Sequence, residues 1–283
     1  MDFSLSANTI KTKKAPRRWA RGRKRCTKGK SCRATCIYRG LICQVELGES
    51  VSKSLGKIRT IRRSSSVAAH PLLSKDYTES NVKKAIDSIS ELDKDADRRV
   101  NALKKIFNRT KTVFIDWKDD VTNRKIYVEA TSKLHKSAEA NFDDKVHNKT
   151  WVGVAFRGGS TMVKASPGFN PSVKQVKTLI TRQLNELSGK GKTPYSMGKG
   201  TKALGNNPLV TLVHELGHHA HFATNERELP PYLKEVSTYA GVNHKEKYAE
   251  LFAAYIFAGP KLKALYPAEY EAVEDILSKA NLL

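Results

Sequence analysis

Val213-His214-Glu215-Leu216-Gly217-His218-His219, late in the chain, is the stretch from which the rest is read. His214 and His218 are four residues apart, so on a helix their imidazoles leave one face, one turn apart. This is the H-E-x-x-H spacing, in which two imidazoles hold a metal and the intervening Glu215 stands beside them as a general base. A helix is expected here. Asn206 or Asn207 offers a cap, Pro208 suits the first helical position, and Leu209, Leu212, Val213 and Leu216 form an apolar stripe. Burying histidines and a glutamate on such a helix without a common partner is costly, and a metal ion supplies that partner. The alternative is a His-rich helix end with solvated imidazoles, in which His219 and His221 lie outside any site.

A catalytic zinc takes three protein ligands and keeps one position open. The downstream candidates lie in the segment from Tyr239 to Phe252. Asn243 reads as the N-cap of a helix ending at Gly259-Pro260, with Tyr248, Leu251, Phe252, Tyr255 and Ile256 as its buried stripe. Glu246 and Glu250 are four apart on one face, a like-charge pair that a nearby cation would make favourable. Spacing leaves both open as the third ligand. Glu246 also fits a capping box with Asn243, and Glu250 also fits a solvated helix face.

Working outward, the remaining pattern is mixed. Thr112-Val113-Phe114-Ile115 and Ile126-Tyr127-Val128 read as strands joined across Asp119 and Asp120. Trp151–Phe156 reads as a third, ended by Arg157-Gly158-Gly159, and is expected to be an edge strand that aligns an extended peptide. Ser172 to Leu187 reads as a helix with Val173, Val176, Leu179, Ile180 and Leu184 in phase, followed by a Gly-, Lys-, Thr- and Asn-rich loop over 188–207. From Thr78, Val82, Ile89, Ala96 and Leu103 recur every seven residues, with Ile86, Val100 and Phe107 alongside and Asp93 interrupting. That predicts one long helix over 78–110, packed on the catalytic domain or on a neighbouring chain. The expected organisation is a basic, cysteine-containing segment over 1–63, a linker over 64–77, the helix over 78–110, and an α+β domain over 111–283.

The formal net charge is +23 and unevenly spread: between residues 1 and 40 the only acid is Asp2, set against a run from Lys11 to Arg39. Residues 1–25 read as a solvated tail, and residues 11–63 as an electrostatic attachment to a polyanion such as nucleic acid. Cys26, Cys32, Cys36 and Cys43 share one window, which suits a metal knuckle or a disulfide-stapled module, although paired C-x-x-C turns are missing. The first ten residues contain no apolar h-region, so a cytoplasmic protein with reduced or metal-bound thiols is expected. No apolar run reaches the length of a membrane span. Residues 44–63 read as a short amphipathic helix.

His-Glu-Leu-Gly-His at 214–218, then Ser237-Thr238-Tyr239-Ala240, then Glu246-Lys247-Tyr248-Ala249-Glu250, resembles the gluzincin metallopeptidases. It most resembles the group containing anthrax lethal factor and the secreted Pro-Pro endopeptidases. The resemblance covers roughly residues 205–257 and implies a zincin-like metallopeptidase domain: a small mixed sheet, an active-site helix and C-terminal helices. It further implies Zn2+ on His214, His218 and Glu246, Glu215 as the base, Tyr239 as oxyanion donor, and Glu250 behind the ligands. The connection from His218 to Tyr239 is short, and Lys247 stands where the family has an apolar or acidic residue, so Glu250 is kept as an alternative ligand. The chain also resembles compact domains of bacteriophage and mobile-element proteins, which would suit a virion- or DNA-associated protein. The expected function is zinc-dependent endopeptidase activity on a protein or peptide substrate. The rivals are a catalytically inactive relative with a structural role, such as a phage virion component, and a nucleic-acid-binding protein whose zinc is structural.

Overall fold

The computed structural model describes residues 65–146, 151–169, 172–188 and 207–283, together with the backbone of 30–32 and 35–37. The chain divides into two units, Met1–Glu46 and Leu47–Leu283. In the first, β1 (Lys30–Cys32) and β2 (Thr35–Ile37) pair antiparallel. The basic arm, the cysteine cluster's side chains and the helix over 44–63 lie outside the described residues, as does nearly all of the loop over 188–207.

The second unit is an α+β structure built on one small mixed sheet. Its strands are β3 (Val67–Ala69), β4 (Lys111–Asp116), β5 (Gly153–Phe156) and β6 (Ser160–Ala165), in the order β3-β4-β6-β5. β4 runs parallel to both β3 and β6, whereas β5 folds back antiparallel on β6, with Gly153 opposite Val163 and Phe156 opposite Ser160. β5 is therefore an edge. Side chains alternate between the faces of the sheet. Val113, Ile115 and Met162 meet Tyr127 of α3 (Asp120–Thr131) and Phe142 of α4 (Ala138–Val146). Phe114, Val163 and Ala165 face the larger core.

That larger core is helical. It gathers α1 (Glu79–Asp87), α2 (Ala96–Phe107), α5 (Val173–Ser188), α6 (Pro208–Ala223), α7 (His244–Leu265) and α8 (Pro267–Lys279). α7 supplies its centre, with every residue from Tyr248 to Gly259 buried. It bends at Ala258, beside Gly259-Pro260, where a helix end is expected; the chain resumes helical geometry for about two further turns, to Leu265. No helix among the described residues is long and apolar enough to cross a membrane.

Three expectations are corrected. Residues 64–77 are not a bare linker, because Val67–Ala69 form the sheet's outer parallel strand and Leu73 and Tyr77 enter the core. The helix over 78–110 is two helices joined by a 3-10 turn at Ser88–Leu92. Asp93 is extended at the break, and its carboxylate takes both NH2 contacts of the buried Arg99, at 2.9 and 2.7 Å. The heptad positions Val82, Ile89, Ala96, Leu103, Ile86, Val100 and Phe107 are nevertheless all buried within the same unit. Ile126-Tyr127-Val128 is not a strand but lies inside α3. Asp119 there acts as an N-cap, accepting from Thr122 N–H, and Asn123, Tyr127 and Thr131 form a buried stripe of helical period.

Candidate metal centre and cleft

α6 begins where its sequence signals place it. The Asn207 side chain accepts from the N–H groups of Leu209 and Val210 at 2.9 and 3.4 Å, and Pro208 opens the helix. The helix lies between the β5–β6 hairpin and α7. Gly217 permits the close approach to α7: a Cβ there would sit 3.0 Å from Phe252 Cβ and 3.2 Å from Ala249 Cα. This packing sets the first turns of α7 against the histidines of α6. Asn243 caps α7 through Lys245 N–H and Glu246 N–H, at 2.9 and 3.0 Å.

Glu246 does not close a capping box. Its Oε2 faces His214 Nε2 at 3.0 Å and His218 Nε2 at 3.3 Å. The donor atoms of His214, His218 and Glu246 all lie within 4.8 Å of one another, the one such cluster of three among the described residues. Glu250, one turn further on, sits behind His214, with Oε1 2.9 Å from Nδ1. Its other oxygen accepts from the Ser237 hydroxyl at 2.7 Å, and Ser237 Oγ accepts in turn from Ala240 N–H at 3.0 Å. Ser237 thus joins Glu250 to the 3-10 turn Tyr239–Gly241. The Tyr239 ring lies 5.9 Å from that of His214.

Ligands about 2.0–2.1 Å from a tetrahedral ion stand roughly 3.3 Å apart. The Nε2–Oε2 separations of 3.0 and 3.3 Å match that spacing without rearrangement. The Glu250 carboxylate on Nδ1 also fixes the tautomer that presents the His214 Nε2 lone pair. The donor set of two nitrogens and one carboxylate oxygen could therefore hold a metal ion, and zinc is among those it suits.

The electrostatics agree. Burial opposes ionisation of Glu246, but hydrogen bonds from His214 and His218 hold its carboxyl well below the usual carboxylate range. Burial opposes charge on His214 as well, yet Glu246 and Glu250 raise it well above the ordinary imidazole value. The cluster thus favours a shared cation, a proton or a metal ion. Burial raises the Glu215 carboxyl, against the lowering influence of His218 and His214, while Ala155 N–H of β5 donates to it.

His219 and His221 lie outside the cluster. His219 Nε2 meets Thr161 Oγ1 at 2.8 Å, pinning α6 to β6, and burial depresses it to about 3. His221 Nε2 donates to Arg227 C=O at 2.8 Å, and burial depresses it to about 4. Both are neutral structural imidazoles at ordinary pH.

A cavity of about 730 Å³ opens over the cluster. It is lined by Glu215, His218, Glu246 and Tyr239, and by Trp151 and the residues of β5. Val152 C=O accepts from Lys164 N–H at 2.9 Å. Antiparallel pairs alternate, so Val154 and Phe156 turn their backbone groups to β6, and Gly153 and Ala155 turn theirs to the free edge. Gly153 lets that edge approach α6: a Cβ would sit 2.5 Å from Thr211 Cγ2 and 2.6 Å from Glu215 Oε1. Ser237 belongs to the Ser-x-Tyr segment quoted above, which does not announce its bond to Glu250, and the roles of Gly153 and the Ala155 N–H carry no motif. A glycine interrupting a strand pattern is the only sequence signal among them.

No protein-family model matches the chain, and neither does any curated protein or solved structure.

Proposed function

We propose that the chain is a zinc-dependent endopeptidase with a zincin-like catalytic domain of the gluzincin type. His214, His218 and Glu246 would hold the ion. A zinc ion bound there supplies Lewis acidity, which polarises a peptide carbonyl and brings the acidity of water toward neutral pH. The observation that carries the reading is the place of Glu215. Its carboxylate stands on the cleft wall beside the two histidines, held by Ala155 N–H of the strand that would align the substrate.

The chain's own residues divide the work. An extended peptide adds to the edge of β5 through the backbone groups of Gly153 and the Ala155 carbonyl. Glu215 takes a proton from the attacking water and passes it to the leaving nitrogen, and its raised affinity for protons suits both transfers. Tyr239, also on the cleft wall, donates a hydrogen bond from its hydroxyl to the carbonyl oxygen as negative charge develops. Glu250 and Ser237 keep His214 and the Tyr239 turn in register. A metal site with structure as its sole purpose needs neither Glu215 nor a cleft with a free strand edge, and structural zinc sites are closed by four protein ligands.

Glu215→Gln tests the proposal. Zinc content should stay at the wild-type level while cleavage of a mixed peptide pool disappears. Wild-type cleavage by that variant, or no cleavage by the zinc-loaded wild type, contradicts it.

A further inference from the structure

One wall of the cleft carries an ion cluster that the proposed chemistry does not use. Arg157, just after β5, and Lys245, in the first turn of α7, both line the cavity. They converge on Glu226, which lies beyond the C-terminus of α6. An Arg157 NH2 group contacts Glu226 Oε1, and Lys245 Nζ lies 2.9 Å from Oε2. The Glu226 side chain is 9% exposed, against 33% for Arg157 and 40% for Lys245. The carboxylate is thus the buried anchor and the two cations are the accessible groups. The Arg157 guanidinium is further braced over the Phe222 ring, 5.4 Å from its centroid.

The backbone is shaped for this placement. Asn225 and Glu226 both have positive φ, 57° and 53°. One left-handed residue suffices to end a helix; two in succession, neither of them glycine, are strained and persist only where the surroundings hold them. Two cations against one carboxylate leave one positive charge on this wall. The other lining acids are Glu215 and Glu246 at the ligand cluster and Asp144 of α4. Arg157 follows Ala155 by two residues, one beyond the end of β5, and so lies at most about 7 Å from it.

We propose that Arg157 and Lys245, anchored by Glu226, form a carboxylate-binding subsite about two residues from the bond to be cut. The ligand group is a peptide carboxylate, from an Asp or Glu side chain or from the peptide's own C-terminus. A guanidinium and an ammonium held at fixed spacing favour a carboxylate over an amide of the same shape. The subsite rests on the cleft being a peptide groove, and it selects among peptides without taking part in the bond cleavage.

The test is a binding selection, which needs no turnover. Randomised N-acetylated octapeptide pools are passed over the immobilised, zinc-loaded full chain carrying Glu215→Gln, with the C-terminus either amidated or free. Captured peptides are then sequenced by mass spectrometry. Enrichment of Asp and Glu over Asn and Gln at one position of the amidated pool identifies a side-chain carboxylate. Preference for the free-acid pool identifies the chain terminus. Either preference should fall about tenfold in Lys245→Gln and in Arg157→Met, with preferences at other positions unchanged. Arg157→Met keeps the apolar contact with Phe222, and thermal unfolding of both variants confirms that they fold. No carboxylate preference, the same preference in both variants, or no captured peptide overturns the subsite. Capture with carboxylate preference but no cleavage by the wild type would remove the peptidase reading and leave the subsite standing.

Discussion

Gly153→Ala probes the contact that places the general base. A Cβ at this position would stand 2.5 Å from Thr211 Cγ2, 2.6 Å from Glu215 Oε1 and 2.9 Å from Glu215 Cγ. Carbon atoms at rest lie about 3.5–4.0 Å apart, so the Thr211 and Glu215 side chains, or α6 with them, must give way by about 1 Å. Overpacking of that kind costs about 1–3 kcal/mol of stability. The same displacement carries Glu215 off the Ala155 N–H and away from the attacking water. A misplacement of about 1 Å at a reacting group lowers the rate by about a hundredfold. The three atoms nearest to that Cβ belong to Thr211 and Glu215 and to none of His214, His218 and Glu246, so bound zinc should be unchanged. Urea denaturation, cleavage of a peptide pool and zinc analysis read the three effects separately. Adding Thr211→Ser removes one of the colliding atoms and should restore part of the stability, while activity stays low because the collision with Glu215 persists. A Gly153→Ala protein with wild-type stability and wild-type cleavage would refute the reasoning.

Other substitutions probe the support around the cluster. Glu250→Gln removes the charge behind His214 Nδ1 and should weaken zinc binding by about tenfold in a competitive chelator titration. An unchanged affinity would place Glu250 outside the metal's support. Tyr239→Phe should lower kcat by about a hundredfold with KM and zinc content little changed, and equal loss in KM would make the hydroxyl a substrate contact instead. His221 is held at about 4 in the folded chain by burial, against about 6.5 when unfolded. As pH falls below 6.5 the unfolded chain takes up a proton that the folded chain refuses until about 4. Stability from this group is therefore complete above pH 6.5 and is lost on acidification through that window, by about 2 kcal/mol at pH 5. In His221→Leu the slope of urea-derived stability against pH should fall by about one proton, and an unaltered slope contradicts the neutral, buried assignment.

The helices were legible wherever a cap and a period agreed. Asn207-Pro208 and Asn243 each open the helix their side chains announce. The seven-residue spacing from Val82 to Leu103 marks buried positions correctly even though the helix breaks at Asp93. Periodicity reports which side is buried and is blind to a break that keeps the phase. Short elements were the least legible. Val67–Ala69 has three residues, too few to show an alternation of period two. Ile126-Tyr127-Val128 has strand-like composition, but Asp119 ahead of it is a cap and not a hairpin turn. The choice between Glu246 and Glu250 depends on how far α7 is rotated against α6. That rotation is set by Gly217 against Phe252 and Ala249, a contact between residues more than thirty apart, which local spacing does not contain. The Arg157–Glu226–Lys245 cluster draws one residue from each of three separate segments, so no stretch of sequence announces it.

The most direct test is metal analysis of the full chain beside His214→Ala and Glu246→Ala. Each variant should hold one zinc equivalent fewer than the wild type, whatever the cysteines near the N-terminus contribute, and neither should cleave peptides. Zinc content equal to the wild type in either variant would contradict the assignment of that residue as a ligand, and with it the proposed catalytic centre.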